Sequence, residues 1–166
     1  MQNGFFVAST ADNNSSDNSG SAAATTASYN YSWDFTGTDI SAITSYSKTK
    51  ITAAVDLGNG LALTGTSSSH TYASGKGLTI KGDDQMELSG ITGKVTVTLV
   101  AYMNSDDTTG RTITITSGSD TVTTKSLTAK KDTDTISLTT TVSDGKIVFS
   151  SVGEVYVSSI KCVSAN

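Results

Sequence analysis

The stretch GKVTVTLVAY, residues 93–102, alternates between two rows of side chains. Val95, Val97, Leu99 and Ala101 form one row; Thr96, Thr98, Val100 and Tyr102 form the other. A helix would wind both rows around its axis, whereas a strand gives each row its own face. A period of two sustained this long commits the stretch to a half-buried strand with the aliphatic row inward. The outward row carries threonine and ends on a tyrosine. That face is either plain solvated surface or a platform that binds something.

The same kind of segment recurs from Tyr29 onward. Strands are predicted at 30–36, 51–57, 60–64, 70–73, 77–82, 85–89, 93–103, 111–117, 120–127, 134–142, 145–150 and 154–163. Gly58-Asn59-Gly60, Gly82-Asp83-Asp84, Ser117-Gly118-Ser119-Asp120 and Ser143-Asp144-Gly145 punctuate them. Asp144-Gly145 between two alternating runs predicts a hairpin. The one candidate helix is the short TDISAIT turn at 38–44, with Asp39 placed to cap it. About a third of the residues are Ser or Thr, and proline is absent. Many short strands at even spacing, with no helical spans to cross over, predict an all-β fold: an antiparallel, jelly-roll-like β-sandwich over residues 29–166.

Residues 1–28 read differently. STADNNSSDNSGSAAATTAS has no period and almost nothing to bury, which predicts a disordered Ser/Thr/Asn-rich leader. GFFVA before it is too short for a signal-peptide core and follows no basic residue, so no export signal is read in this chain. The alternative for Phe5, Phe6 and Val7 is a short strand or an apolar patch. Deleting residues 1–28 is expected to leave the melting temperature within a few degrees and ligand binding intact. A large loss of either would put the Phe5-Phe6-Val7 patch on the sandwich.

Composition excludes several function classes. The net charge is −4 with no basic patch, which argues against nucleic acid. The apolar runs are too short to span a bilayer, so no membrane insertion is predicted. The single cysteine, Cys162, excludes an internal disulfide and a thiolate zinc cluster, and reads as a half-buried small hydrophobe. Low Cys with high Ser, Thr and Asn suits a secreted or cell-surface-attached bacterial protein.

The groups that catalysis requires are scarce. His70 is the only histidine, and no G-x-S-x-G elbow accompanies it. Glycoside cleavage by paired carboxylates needs one acid raised in pKa within an apolar cleft. Asp83-Asp84, Asp106-Asp107 and the pair Asp132/Asp134 instead lie in polar loops. They read as turn residues, with a structural calcium as the alternative. No other cofactor is predicted.

What remains is aromatic and polar material on strands. Sugars present apolar C–H faces and hydroxyl edges, and bind where an aromatic ring is flanked by polar groups. Tyr31, Trp33 and Phe35 share one parity, which reads as core. Tyr102 projects with Thr96 and Thr98 instead, and Asn104 follows it. Tyr72 shares the parity of His70. Tyr156 alternates with Val155 and Val157, although Ile160 and Cys162 share its parity unless a bulge intervenes. If residues 104–110 close a hairpin, Arg111 opens the partner of strand 93–103 and stands close to Tyr102. The candidate ligand-binding set is therefore His70, Tyr72, Tyr102, Asn104, Arg111 and Tyr156.

The span from YSWDFTG to VYVSSIKCV resembles bacterial carbohydrate-binding modules appended to secreted plant-polysaccharide enzymes. The opening W-D-F strand, the middle KVTVTLVAYMNSDDTTGRTITITSG and the closing GKIVFSSVGEVYVSSIKC carry the resemblance. Within that class it is most similar to the family 86 xylan-binding modules of multidomain xylanases. The resemblance implies a non-catalytic sandwich that holds a covalently linked glycoside hydrolase on xylan through a shallow site. Similar sandwiches accompany pectate lyases, so pectin is the alternative glycan. A structural or adhesive spacer of a surface protein is the alternative function. A spacer needs no exposed line of tyrosines, and a hydrolase would need a His–carboxylate pair converging in a cleft.

Overall fold

The computed structural model describes residues 27–37, 53–64, 72–73, 75–82 and 84–166. Its strands are β1 (Asn30–Asp34), β2 (Val55–Asp56), β3 (Leu61–Leu63), β4 (Tyr72–Ala73), β5 (Gly77–Lys81) and β6 (Gln85–Ser89). They continue with β7 (Gly93–Tyr102), β8 (Thr112–Ser117), β9 (Asp120–Thr123), β10 (Thr133–Val142), β11 (Lys146–Val152) and β12 (Glu154–Ser164). The helical turn expected at 38–44 lies outside the described residues, as do His70, Asp83 and almost all of the leader.

All strand pairs are antiparallel, and they form two sheets. One runs β10-β7-β12-β5-β4, and the other β2-β3-β6-β11-β8-β9. In the first sheet β12 is the spine. One side pairs with β7; the other pairs with β5 through Glu154–Val157 and with β1 through Ser159–Val163.

The alternation read from the sequence decides what is inside. Val95, Val97, Leu99 and Ala101 of β7 are all fully buried. Val155, Val157, Ile160 and Cys162 join them from β12, and Leu78 and Ile80 from β5. The second sheet answers with Leu61, Leu63, Met86, Leu88, Ile113, Ile115, Ile147 and Phe149, each at zero exposure. Trp33 and Phe35 lie in this core, and Trp33 Nε1 donates to the carbonyl of Gly58 at 3.1 Å. That bond spans from β1 to the β2–β3 turn and satisfies the buried indole. Cys162 is fully rather than half buried, and burial raises its thiol to about 11, so it is inert.

The turns correct the sequence reading. Gly58-Asn59-Gly60 and Ser117–Asp120 close hairpins within the second sheet. Ser143-Asp144-Gly145 does not: β10 pairs with β7, whereas β11 pairs with β6 and β8. Gly82–Asp84 likewise carries the chain from β5 in one sheet to β6 in the other. Turn chemistry sets a local reversal of direction. It does not decide whether the two strands hydrogen-bond side by side or face each other across the core. Here the two strands that meet at Asp144-Gly145 each carry an apolar row, and each row enters the core from its own sheet.

Candidate functional site

The outward row of β7 is where the sequence placed it. Thr96, Thr98, Val100 and Tyr102 are all half-buried, alternating with the fully buried aliphatic row. Register extends this face across its neighbours. Thr133 of β10 and Tyr156 of β12 lie on either side of Tyr102, and Thr79 of β5 lies beyond Tyr156. The next row holds Thr135, Val100, Ser159 and Asp34. The row after that holds Ser137, Thr98, Lys161 and Ser32. Hydroxyl pairs tie β7 to β10 across this surface, with Thr96–Thr139 and Thr98–Ser137 both at 2.8 Å. Such cross-strand pairs add roughly 0.2–1 kcal/mol each and keep the face ordered.

Tyr156 reaches this face because of a bulge. The β12–β7 register shifts between Val157 and Ser159, so Ser158 is an extra residue. Without it Tyr156 would share the inward row of Ile160 and Cys162. With it, Val155, Val157, Ile160 and Cys162 all point inward and Tyr156 points outward. The bulge is held from both sides: Phe35 N donates to Ser158 O at 2.8 Å, and Ser158 Oγ donates to Lys76 O at 3.2 Å.

The two tyrosines form a unit. Their ring centroids are 6.3 Å apart with planes at 81°, an edge-to-face contact. Tyr156 is 8% exposed yet lies outside the main core, with fully buried Thr79 on its other side. Tyr102 keeps part of its surface open. Tyr156 therefore braces Tyr102 rather than offering a second open ring. Among the described residues neither hydroxyl forms a hydrogen bond, nor does the side chain of Asn104. Asn104 is half-exposed, just past Met103, whose backbone bonds Asp132 and Lys131.

Arg111 does not open a partner strand of β7. β8 pairs with β11 and β9, not with β7, so residues 103–111 cross between the sheets and close no hairpin. The sequence reading placed Arg111 beside β7 through a hairpin at 104–110; the two strands instead belong to different sheets. Arg111 Nε donates to Asp107 Oδ2 at 2.5 Å and Nη1 to the Glu154 carbonyl at 2.9 Å. Its stem lies over Gly153, where a Cβ would come within 2.9 Å of Arg111 Cγ. Arg111 thus staples the crossing loop to the β11–β12 turn.

Tyr72 pairs through its backbone with Leu78, whose register row continues to Val157 and Ala101. The row of Tyr102 and Tyr156 passes instead through Thr79. Sequence reasoning missed Thr133, Ser159 and Lys161. Their outward parity was readable, but which strands flank β7 was not.

The loop aspartates act as local caps. Asp106 accepts from Lys130 N, Asp132 from Thr128 N and Ala129 N, and Asp134 from Lys125 N and Thr135 N. No cluster of three or more metal-ligating side chains occurs among the described residues. Asp34, Glu87, Asp107 and Asp132 are all shifted toward the ionised form. Such carboxylates accept hydrogen bonds and do not serve as proton donors near neutral pH.

Asp107 is held down to about 2, chiefly by the Thr109 hydroxyl and amide, then by Arg111. An unfolded aspartate titrates near pH ~4. Because the folded value is the lower one, this contribution is complete above pH ~4 and is lost as pH falls toward ~2. Asp107→Asn is therefore expected to melt below the parent at neutral pH, with the gap closing on acidification. A gap that stays constant down to pH ~2 would contradict this assignment.

No family model and no curated protein matches the sequence. Solved structures do. A carbohydrate-binding module of Cellvibrio mixtus lichenase 5A, in complex with cellotriose, aligns over 70% of this chain and 99% of its own, at 14% identity and a TM-score of 0.41. A family 29 carbohydrate-binding module from Piromyces equi aligns over 70% of this chain and 91% of its own, at 11% identity and a TM-score of 0.42.

Proposed function

We propose that this sandwich is a non-catalytic module that binds a plant cell-wall polysaccharide, xylan first among them, on the outer face around Tyr102. The observation that carries this reading is the braced tyrosine: a half-open ring on a hydroxyl-rich sheet face, held edge-on by Tyr156. A ring held in this way loses little freedom when a sugar stacks on it. Thr133 beside it, and Thr135 and Ser159 in the adjoining row, supply groups that both donate and accept. No cleft is needed, because an extended polysaccharide can lie along a flat sheet. Xylan enters through the sequence resemblance, and pectin is the second reading. Lys161, exposed two rows from Tyr102, favours the latter because it would meet a uronate carboxylate.

A shallow site of this kind is expected to bind weakly, with Kd on the order of 0.1–1 mM. Such affinity suits a module that keeps a linked hydrolase on insoluble substrate, where tethering supplies the effective concentration. That role belongs to a secreted or surface-attached protein. No helix among the described residues is long and apolar enough to cross a membrane.

Native affinity electrophoresis against xylans, pectins, mannan and β-glucans tests the reading. Retardation by xylan is expected. Retardation by pectin alone would move the ligand to the second reading, and migration unchanged by every glycan would overturn both. Tyr102→Ala is expected to weaken xylan binding about 5- to 30-fold, equivalent to about 1–2 kcal/mol for one stacking ring, with little change in Tm. Binding equal to the parent would remove Tyr102 from the site.

A further inference from the structure

We propose that the Tyr102 face is selective for a polysaccharide that carries uronate carboxylates, met by Lys131 at its rim and by Lys161 along the strands. This selectivity rests on that face being the glycan site. Thr133 of β10 stands opposite Tyr102, and the ladder is irregular one step beyond that pair. Lys131 N donates to Met103 O at 2.8 Å, and Met103 N donates to Asp132 O at 2.9 Å, so two residues oppose one. In a bulge of this kind the first residue takes the left-handed conformation and is normally glycine. Asp132 N also donates to Ala129 O at 2.9 Å. Lys131 is therefore the third residue of a tight turn, where a positive φ again favours Gly or Asn.

A lysine occupies the position instead, with φ of +72°. Among the described residues the only other non-glycine with a positive φ is Asn59, a residue type that tolerates it. Lysine in this conformation is destabilising relative to glycine, and residues strained in this way cluster at ligand clamps and active sites. Bulges are common beside such sites because they re-aim a side chain. Lys131 is exposed, and its amide is bonded to the residue that follows Tyr102. Its flexible four-carbon stem is long enough to bring the ammonium to a sugar stacked on the ring.

The rest of the face suits an acidic ligand. The chain as a whole carries a net charge of −4. Yet on the outward rows of this sheet's described strands Lys81, Lys94 and Lys161 outnumber the carboxylates Asp34 and Glu154. Lys81 neutralises Glu154 across 3.9 Å, and Asp34 accepts from the amide and hydroxyl of Thr36. Lys94 Nζ donates to Asn166 O at 2.6 Å. Lys161 remains exposed beside Thr98, four residues before Tyr102, or roughly 13 Å along the strand at ~3.3 Å per residue. Neutral side chains fill that interval, Val100, Thr135 and Ser159 among them. A glycan lying along the strands therefore meets a cation at each end of the stretch. A xylan with uronic-acid branches and the uronate backbone of pectin both carry the matching charge.

Calorimetric titration of the full chain with glucuronoxylan, polygalacturonate and the carboxyl-reduced form of each tests this. Reduction keeps the backbone and turns each uronate into a neutral sugar. The parent is expected to bind at least one acidic glycan about 3- to 10-fold more tightly than its reduced form, with the gap shrinking as salt rises. A gap on glucuronoxylan assigns the carboxylates to xylan branches, and a gap on polygalacturonate alone assigns them to pectin; either supports the proposal. Lys131→Gly and Lys161→Gln are each expected to remove part of the gap and to leave the reduced glycan bound as before. Lys131→Gly should also keep or raise Tm, because glycine suits the positive φ, and a purely structural lysine would not combine the two results. Lys146→Gln, on the outer face of the opposite sheet, removes the same charge and should leave the gap intact. Acidic and reduced glycans bound equally would overturn the proposal while the Tyr102 site stands. So would a gap lost equally in all three variants, or one untouched by Lys131→Gly or by Lys161→Gln. No binding of any form would overturn the Tyr102 site and this selectivity together.

Discussion

Phe149→Ala is expected to cost about 3–5 kcal/mol of stability, the range for deleting a large buried aromatic side chain. Phe149 is fully buried in β11, at the centre of the second sheet. Register sets it between Met86 of β6 and Ile115 of β8, both also at zero exposure. Its neighbours are held by their own sheet hydrogen bonds, so they cannot collapse fully into the space it leaves. At about 2–4 °C per kcal/mol for a domain of this size, Tm should fall by roughly 10 °C. Val148→Ala is the control. Val148 is the adjacent residue, half-buried on the outward row, and should cost less than about 1 kcal/mol. Thermal melts of the two variants decide the point: equal losses would mean that the alternation does not separate core from surface in β11.

Gly77→Ala is expected to destabilise by more than about 2 kcal/mol and to weaken glycan binding as well. Gly77 opens β5 with φ of +116°, a conformation that side chains rarely adopt. A Cβ there would stand 2.1 Å from the Val157 carbonyl oxygen and 2.7 Å from its carbon. Both contacts are to backbone beside the Ser158 bulge, so β5 would have to move away from β12. That movement withdraws Thr79 from Tyr156 and loosens the brace behind Tyr102. Gly75→Ala separates strain from collision. Gly75 also has a positive φ, +74°, but nothing lies within 4 Å of its Cβ position. It should cost about 1 kcal/mol and leave binding unchanged. Urea melts and affinity gels on both variants test this; a Gly77→Ala protein that binds like the parent would mean that Tyr156 does not position Tyr102.

The strands were legible because alternation is local. Each of the predicted strands overlaps an observed one where the chain is described, and the inward rows of β7, β8, β10 and β11 follow from parity alone. The turns were less legible. Asp144-Gly145 and the 103–111 loop each join two alternating runs, and both cross between sheets. Only the long-range pairing of β10 with β7, and of β8 with β11, separates that arrangement from a hairpin.

The site divides in the same way. The outward placement of Tyr102 followed from parity within one strand. Tyr156 required the bulge at Ser158, which sequence parity allowed but could not place. The hairpin expected to carry Arg111 back beside β7 depended on strand pairing and does not form, and its guanidinium is tied to Asp107 and Glu154. Thr133, Ser159 and Lys161 joined the face of Tyr102 only through register.

A titration of isotopically labelled protein with a xylo-oligosaccharide, followed by amide chemical shifts, tests the central claim most directly. The expected shifts fall on Tyr102, on its register partners Thr133 and Tyr156, and on Ser159 of the adjoining row. Thr114, Thr116 and Thr121, on the outer face of the opposite sheet, should stay unmoved and serve as the internal control. Shifts confined to that second face or to the loops, with Tyr102 unmoved at saturating ligand, would contradict the account.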